Sequence, residues 1–226
     1  MRLVKRINEL ILDLYSILFY LATLAAAGVF ALYLIYRKTL SQDLRGAVPY
    51  FWLTGLSAFY EQVFTFWLRV DATVYFRVYG LLDLLLVLYF YSTVIRGQKV
   101  VIWTAALLHV LVCAYLCIRF DRYNLTDADQ VMVPLATVFI FYFTFCWFRQ
   151  KFLEMQDRSL LSIPSFYMVS GIFIYSAATV FLFLYSSAVS QSKEVNFILD
   201  FWVFNIFMVI IVRIIYSIAI WMGRKT

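Results

Sequence analysis

Long apolar stretches alternate with short polar ones along the whole chain of 226 residues. The apolar runs cover about Ile11–Tyr36, Ala47–Leu68, Val74–Ile95, Val100–Phe120, Val131–Phe148, Ser162–Val189 and Asn196–Met222. A helix needs roughly 20 apolar residues to cross the hydrocarbon core of a bilayer, and each run is close to that length or beyond it. The pattern predicts an all-α polytopic membrane protein with seven transmembrane helices, forming one domain over residues 1–226.

Composition supports the same solvent. Hydrophobic residues make up 65% of the chain and aromatics 20%, and the mean hydropathy is +0.86. Soluble domains lie near 45–50% apolar. Seven spans leave no room for a soluble catalytic domain. Arg2, Lys5 and Arg6 ahead of the first run resemble the start of a signal peptide, but that run is too long for an h-region and lacks a cleavage site. It reads as a retained helix. The net charge of +6 comes from basic residues at the ends of the runs, where membrane topology puts them, so nucleic acid is excluded as a partner.

A second pattern lies on top of the first. Tyr36-Arg37-Lys38, Gln42-Asp43-Leu44-Arg45 and Pro49-Tyr50-Phe51-Trp52 with Gly55 are echoed by Phe148-Arg149-Gln150-Lys151, Gln156-Asp157-Arg158 and Pro164-Ser165-Phe166-Tyr167 with Gly171. Tyr91-Ser92, Ile95, Gly97 and Lys99 are echoed by Tyr216-Ser217, Ile220, Gly223 and Lys225. Order and spacing both recur. They predict two halves of three helices, about 11–99 and 131–225, in one orientation around a spacer helix at about 100–120. This is a 3+1+3 parallel repeat.

Counting Lys and Arg orients the chain. With the N-terminus outside, inner segments hold Arg37, Lys38, Arg45, Arg96, Lys99, Arg149, Lys151, Arg158, Arg224 and Lys225. Outer segments hold Arg2, Lys5, Arg6, Arg69, Arg119, Arg122 and Lys193, together with most of the loop acids. The balance favours N-out, C-in.

Charges inside spans are costly, so they face the bundle and mark sites. Counted at about 1.5 Å per residue from the outer ends, Glu61, Asp83 and Asn205 share one layer. Arg77 and Asp200 lie above it and the single histidine, His109, slightly below. An outward-opening polar pocket between the second, third, fourth and seventh helices would use all six as ligand-binding residues. A structural network, with Arg77 paired to Glu61, Asp83 or Asp200 to hold the helices in register, is the other reading. Both stay open. Arg213, roughly 25 Å from the outer end of its helix by the same rise, has no other span charge at its expected level. It snorkels to the inner headgroups, donates to helix-end carbonyls, or pairs with an acid of a partner protein.

His109, Cys113 and Cys117 share a helix face at i, i+4 and i+8, but the outer two are about 12 Å apart along the axis, too far to hold one ion. No metal or other cofactor is expected. Nor is an enzyme: one histidine is too few for a ceramidase-type zinc hydrolase, no glycine-flanked serine motif accompanies it, and no lysine lies within a span to form a retinal Schiff base.

The run from Pro164-Ser165-Phe166-Tyr167 through Gly171-Ile172-Phe173-Ile174-Tyr175-Ser176 to Phe181-Leu182-Phe183-Leu184-Tyr185-Ser186, with the aromatic-Asn pattern of the last helix, resembles an uncharacterised family of small bacterial seven-helix membrane proteins. Some of its members are encoded beside sensor histidine kinases. The resemblance implies a receptor or sensor subunit in a bacterial inner membrane. Its connectors are short, so it would signal through a separate membrane-bound partner such as a histidine kinase. Homo-oligomers are compatible with that role. The 3+1+3 order also resembles the SWEET and PQ-loop sugar transporters, though the Pro-Gln pair of those proteins is missing here. A small-solute transporter is the alternative function.

Overall fold

The computed structural model describes residues 2–70, 73–119, 125–154, 159–184 and 195–224. Its regular elements are α1 (Arg2–Tyr36), α2 (Val48–Tyr60), α3 (Thr73–Val94), α4 (Lys99–Arg119), α5 (Leu125–Glu154), α6 (Pro164–Leu184) and α7 (Val195–Met222). No strand is present among the described residues. Six of the helices contain stretches long and apolar enough to cross a bilayer: Leu14–Tyr36, Val74–Val94, Lys99–Ile118, Gln130–Glu154, Pro164–Leu184 and Trp202–Met222. The chain is an all-α, multi-pass membrane protein.

The second expected span is built differently. α2 runs for only 13 regular residues and then widens into a π-helix over Glu61–Trp67. Helix boundaries shift elsewhere too. α1 begins at Arg2 rather than Ile11, and α5 begins at Leu125, carrying Pro134 inside it.

The helices form a ring. α1 packs on α2, α2 on α3, α3 on α5, α5 on α6, α6 on α7, and α7 returns to α1 in the most extensive pairing of all. α4 packs against α3 and α5. Its outer surface carries Val100, Trp103, Leu107, Leu111 and Ile118, all exposed, as suits a lipid-facing side.

The core is concentrated at one end. Leu44, Phe51, Leu88, Tyr91, Phe143, Trp147, Met168, Tyr216 and Ile220 are all buried there, beside the α1–α2, α3–α4 and α5–α6 connections. This basic end is also stitched by polar contacts. Ser41 N donates to Gly223 O at 2.7 Å, Leu40 and Arg224 form an isolated bridge, and Arg96 N donates to Gln150 Oε1 at 2.9 Å. The Arg224 guanidinium lies over the Trp221 ring, 3.1 Å from its centroid. The N-terminus of α7 and the start of α3 point to the opposite end.

Candidate functional site

Three helical faces carry the polar residues. On α3, Tyr75, Tyr79 and Asp83 recur every fourth position and so share one face. On α2, Tyr50, Ser57 and Glu61 stand at i, i+7 and i+11. On α7, Asn205, Arg213 and Tyr216 repeat the same logic. The ring brings these faces together between α1, α2, α3 and α7, with α6 alongside.

The Tyr50 and Tyr79 hydroxyls lie beside the Asp83 carboxylate. Tyr50 in turn lies against Tyr216, the two rings meeting edge to face at 5.6 Å and 87°. A hydroxyl chain therefore leads from α7 through α2 to the carboxylate on α3. A half-buried carboxylate beside hydroxyl groups has donors within reach in place of water.

Arg213 is the cation of this layer. It is buried, 9% exposed, and its Nη1 donates to the Ala22 carbonyl of α1 at 2.7 Å. The guanidinium lies in the electrostatic field of both Asp83 and Glu61. The expectation that Arg213 stands alone at its level and snorkels to the headgroups is corrected by this geometry. Its side chain turns into the bundle because α7 itself is packed between α1 and α6.

Glu61 opens the π-helical segment. The Ser57 hydroxyl lies beside it and beside the Tyr75 hydroxyl of α3. Tyr15 of α1 also lies within its field. Tyr75 is held by stacking on Tyr60, with centroids 3.8 Å apart. Asn205 joins the edge of the layer, its Oδ1 accepting from Tyr175 OH of α6 at 3.2 Å.

Two expected members stand elsewhere. Arg77 projects roughly 160° around α3 from the Tyr75–Tyr79–Asp83 face and lies beside Cys113 of α4. Arg213, not Arg77, stands in the field of both Glu61 and Asp83. His109 is buried at 1% exposure on α4, apart from the layer, and its ring nitrogens have no hydrogen-bond partner among the described residues. The Asp200 side chain lies outside the described residues. Among those described, no three His, Cys, Asp or Glu side chains gather as a metal site would require.

Sequence reasoning missed the tyrosines. Tyr50, Tyr79 and Tyr216 looked like members of an abundant aromatic population, and only the spacing Tyr75-Tyr79-Asp83 could have singled any of them out. On α1, Gly28 meets nothing within 4 Å, while Ala22 and Ala26 are buried.

No protein-family pattern, curated protein or solved structure matches the chain.

Proposed function

We propose that the chain is a receptor-type subunit of a bacterial cytoplasmic membrane, N-out and C-in. The layer of Glu61, Asp83 and Arg213 takes up a small polar ligand from the outer side, and the change is passed to a separate signalling partner. The observation that carries this reading is the single guanidinium shared by four helices. Arg213 belongs to α7, bonds the backbone of α1, and feels the acids of α2 and α3. Any ligand that alters the charge at Glu61 or Asp83 changes the hold of Arg213 on Ala22. That contact lies in the α1–α7 pairing, whose basic ends are tied through Ser41 and Gly223. A coupling needs such an element with contacts to both sites.

The transporter reading has one observation in its favour. The α3–α5 contact matches the α7–α1 contact, and α1–α2–α3 matches α5–α6–α7 around the ring, as a parallel repeat with α4 as spacer would give. Repeat interfaces near the midplane hold substrate sites in transporters.

One experiment separates them. Purified protein is screened by thermal shift against small polar solutes, and the same solutes are offered to proteoliposomes. The receptor reading expects a solute that stabilises the wild type, fails to stabilise Glu61→Gln, and is not accumulated. Accumulation of that solute would overturn the receptor reading in favour of transport.

A further inference from the structure

At the basic end, α3 and α4 meet over a cleft of about 500 Å3, bordered by Tyr89, Ser92, Thr93, Arg96, Lys99 and Trp103. Gly97 turns the chain there with a φ of 77°, a conformation that favours glycine. A Cβ built on it would meet nothing within 4 Å, so the space over the turn is clear. Two cations border the cleft and neither is spent. The Arg96 side chain is 89% exposed and meets Glu154 only at 3.8 Å, while Glu154 is held more closely by Lys151 at 2.8 Å and Gln150 at 2.9 Å. Lys99 is exposed and has no acidic partner among the described residues. No acid lines the cleft among those residues either. The Ser92 and Thr93 hydroxyls each donate to a carbonyl of their own helix, Tyr89 O and Phe90 O, at 2.7 Å. Recognition in the cleft therefore falls to positive charge.

We propose that this cleft holds the headgroup phosphate of an anionic phospholipid, with an acyl chain lying along α4. Depth is the first reason. Lys99 opens the apolar span Lys99–Ile118, so both cations stand at headgroup level. Tyr89 and Trp103, 39% and 51% exposed, are the residue types that sit at that interface. Charge is the second reason. A guanidinium takes two phosphate oxygens at once and an ammonium adds a point charge, and basic pockets between membrane helices suit anionic headgroups. A zwitterionic headgroup brings its own cation against Arg96 and Lys99. Continuity is the third. The exposed apolar surface of α4 leads away from the cleft through Trp103, Leu107 and Leu111, every fourth residue and so on one face. An acyl chain covers that face, whereas a free phosphate ion or an acidic protein segment matches the two cations and leaves it bare. The assignment is independent of the receptor reading and of which leaflet the basic end faces.

The test titrates the purified full chain in detergent with dioleoylphosphatidylglycerol or dioleoylphosphatidylcholine and reads lipid retention by native mass spectrometry. The expected result is one phosphatidylglycerol held about tenfold more tightly than phosphatidylcholine. Lys99→Gln should weaken that binding by roughly fivefold, and Arg96→Gln combined with Lys99→Gln should weaken it further. Arg37→Gln combined with Lys38→Gln removes the same charge from another exposed pair at the basic end and should leave the preference intact. If a double variant does not fold, Lys99→Gln alone decides the matter, since that side chain is exposed. Equal retention of the two lipids would overturn the assignment and leave an acidic protein segment as the occupant. Retention unchanged in Lys99→Gln, or an equal loss in the two double variants, would overturn it in favour of unlocalised attraction. Displacement of phosphatidylglycerol by millimolar inorganic phosphate at matched ionic strength would overturn it in favour of a free phosphate ion.

Discussion

Arg213 of α7 donates to the main-chain carbonyl of Ala22 in α1 at 2.7 Å, across 191 residues of sequence. A helical carbonyl already serves its own helix, so it accepts this second bond through a remaining lone pair. The same guanidinium offsets Glu61 and Asp83. Removing it should therefore leave two half-buried acids without their cation, and Arg213→Leu is expected to lose about 1–3 kcal/mol of stability. Arg213→Lys, which keeps the charge but not the fork, should lose less. Chemical unfolding in detergent reads both; an Arg213→Leu protein as stable as wild type would remove Arg213 from the structural account.

Tyr91 of α3 and Thr144 of α5 share a buried hydrogen bond of 2.6 Å at the contact that closes the ring. Thr144→Val keeps the shape and strands the phenol, so a loss of about 1–3 kcal/mol is expected. Tyr91→Phe combined with Thr144→Val should lose less than the sum of the two single changes. Strict additivity in that double-mutant cycle counts against the pair.

Gly171 lets α6 approach α7. A Cβ built there would stand 2.8 Å from Tyr216 Cε1 and 3.3 Å from Ile215 Cγ2. Gly171→Ala should cost about 1–3 kcal/mol and disturb the Tyr216–Tyr50 pair on the next helix face. Gly80→Ala is the matched control: nothing lies within 4 Å of that position, and a gain of about 0.5–1 kcal/mol is expected from the lost backbone freedom. Equal melting temperatures for the two variants would contradict the close approach.

The orientation proposed from charge is open to labelling. Lys38 at the basic end and Val70 at the opposite end are both exposed. With Cys113, Cys117 and Cys146 replaced by Ala, a cysteine at position 70 should react with an impermeant maleimide in intact cells. One at position 38 should react only after permeabilisation. The opposite pattern inverts the topology and removes the outer entry to the layer.

The sequence by itself determined the solvent and the class of fold. Runs of about 20 apolar residues have few stable outcomes other than membrane-crossing helices, because lipid satisfies no backbone hydrogen bond. It also singled out Glu61, Asp83 and Asn205, since charged and strongly polar side chains in such runs turn inward. What it could not determine was which of them meet. Counting residues from the outer ends put Arg213 far below the acids, because α7 is 28 residues long and α3 is 22. Counted from the basic end, where the connectors and the core fix the helices in register, Arg213 lies nine residues above Met222 and Asp83 eleven above Val94, about 14 and 17 Å by helical rise. They are neighbours in depth. Only the tertiary structure shows that α7 packs against α1 and that Arg77 turns away toward α4. It also shows that tyrosines hidden among 17 of their kind supply the hydroxyls. Helix periodicity fixes which residues share a face, but the choice of neighbour for that face is made by packing across the whole ring.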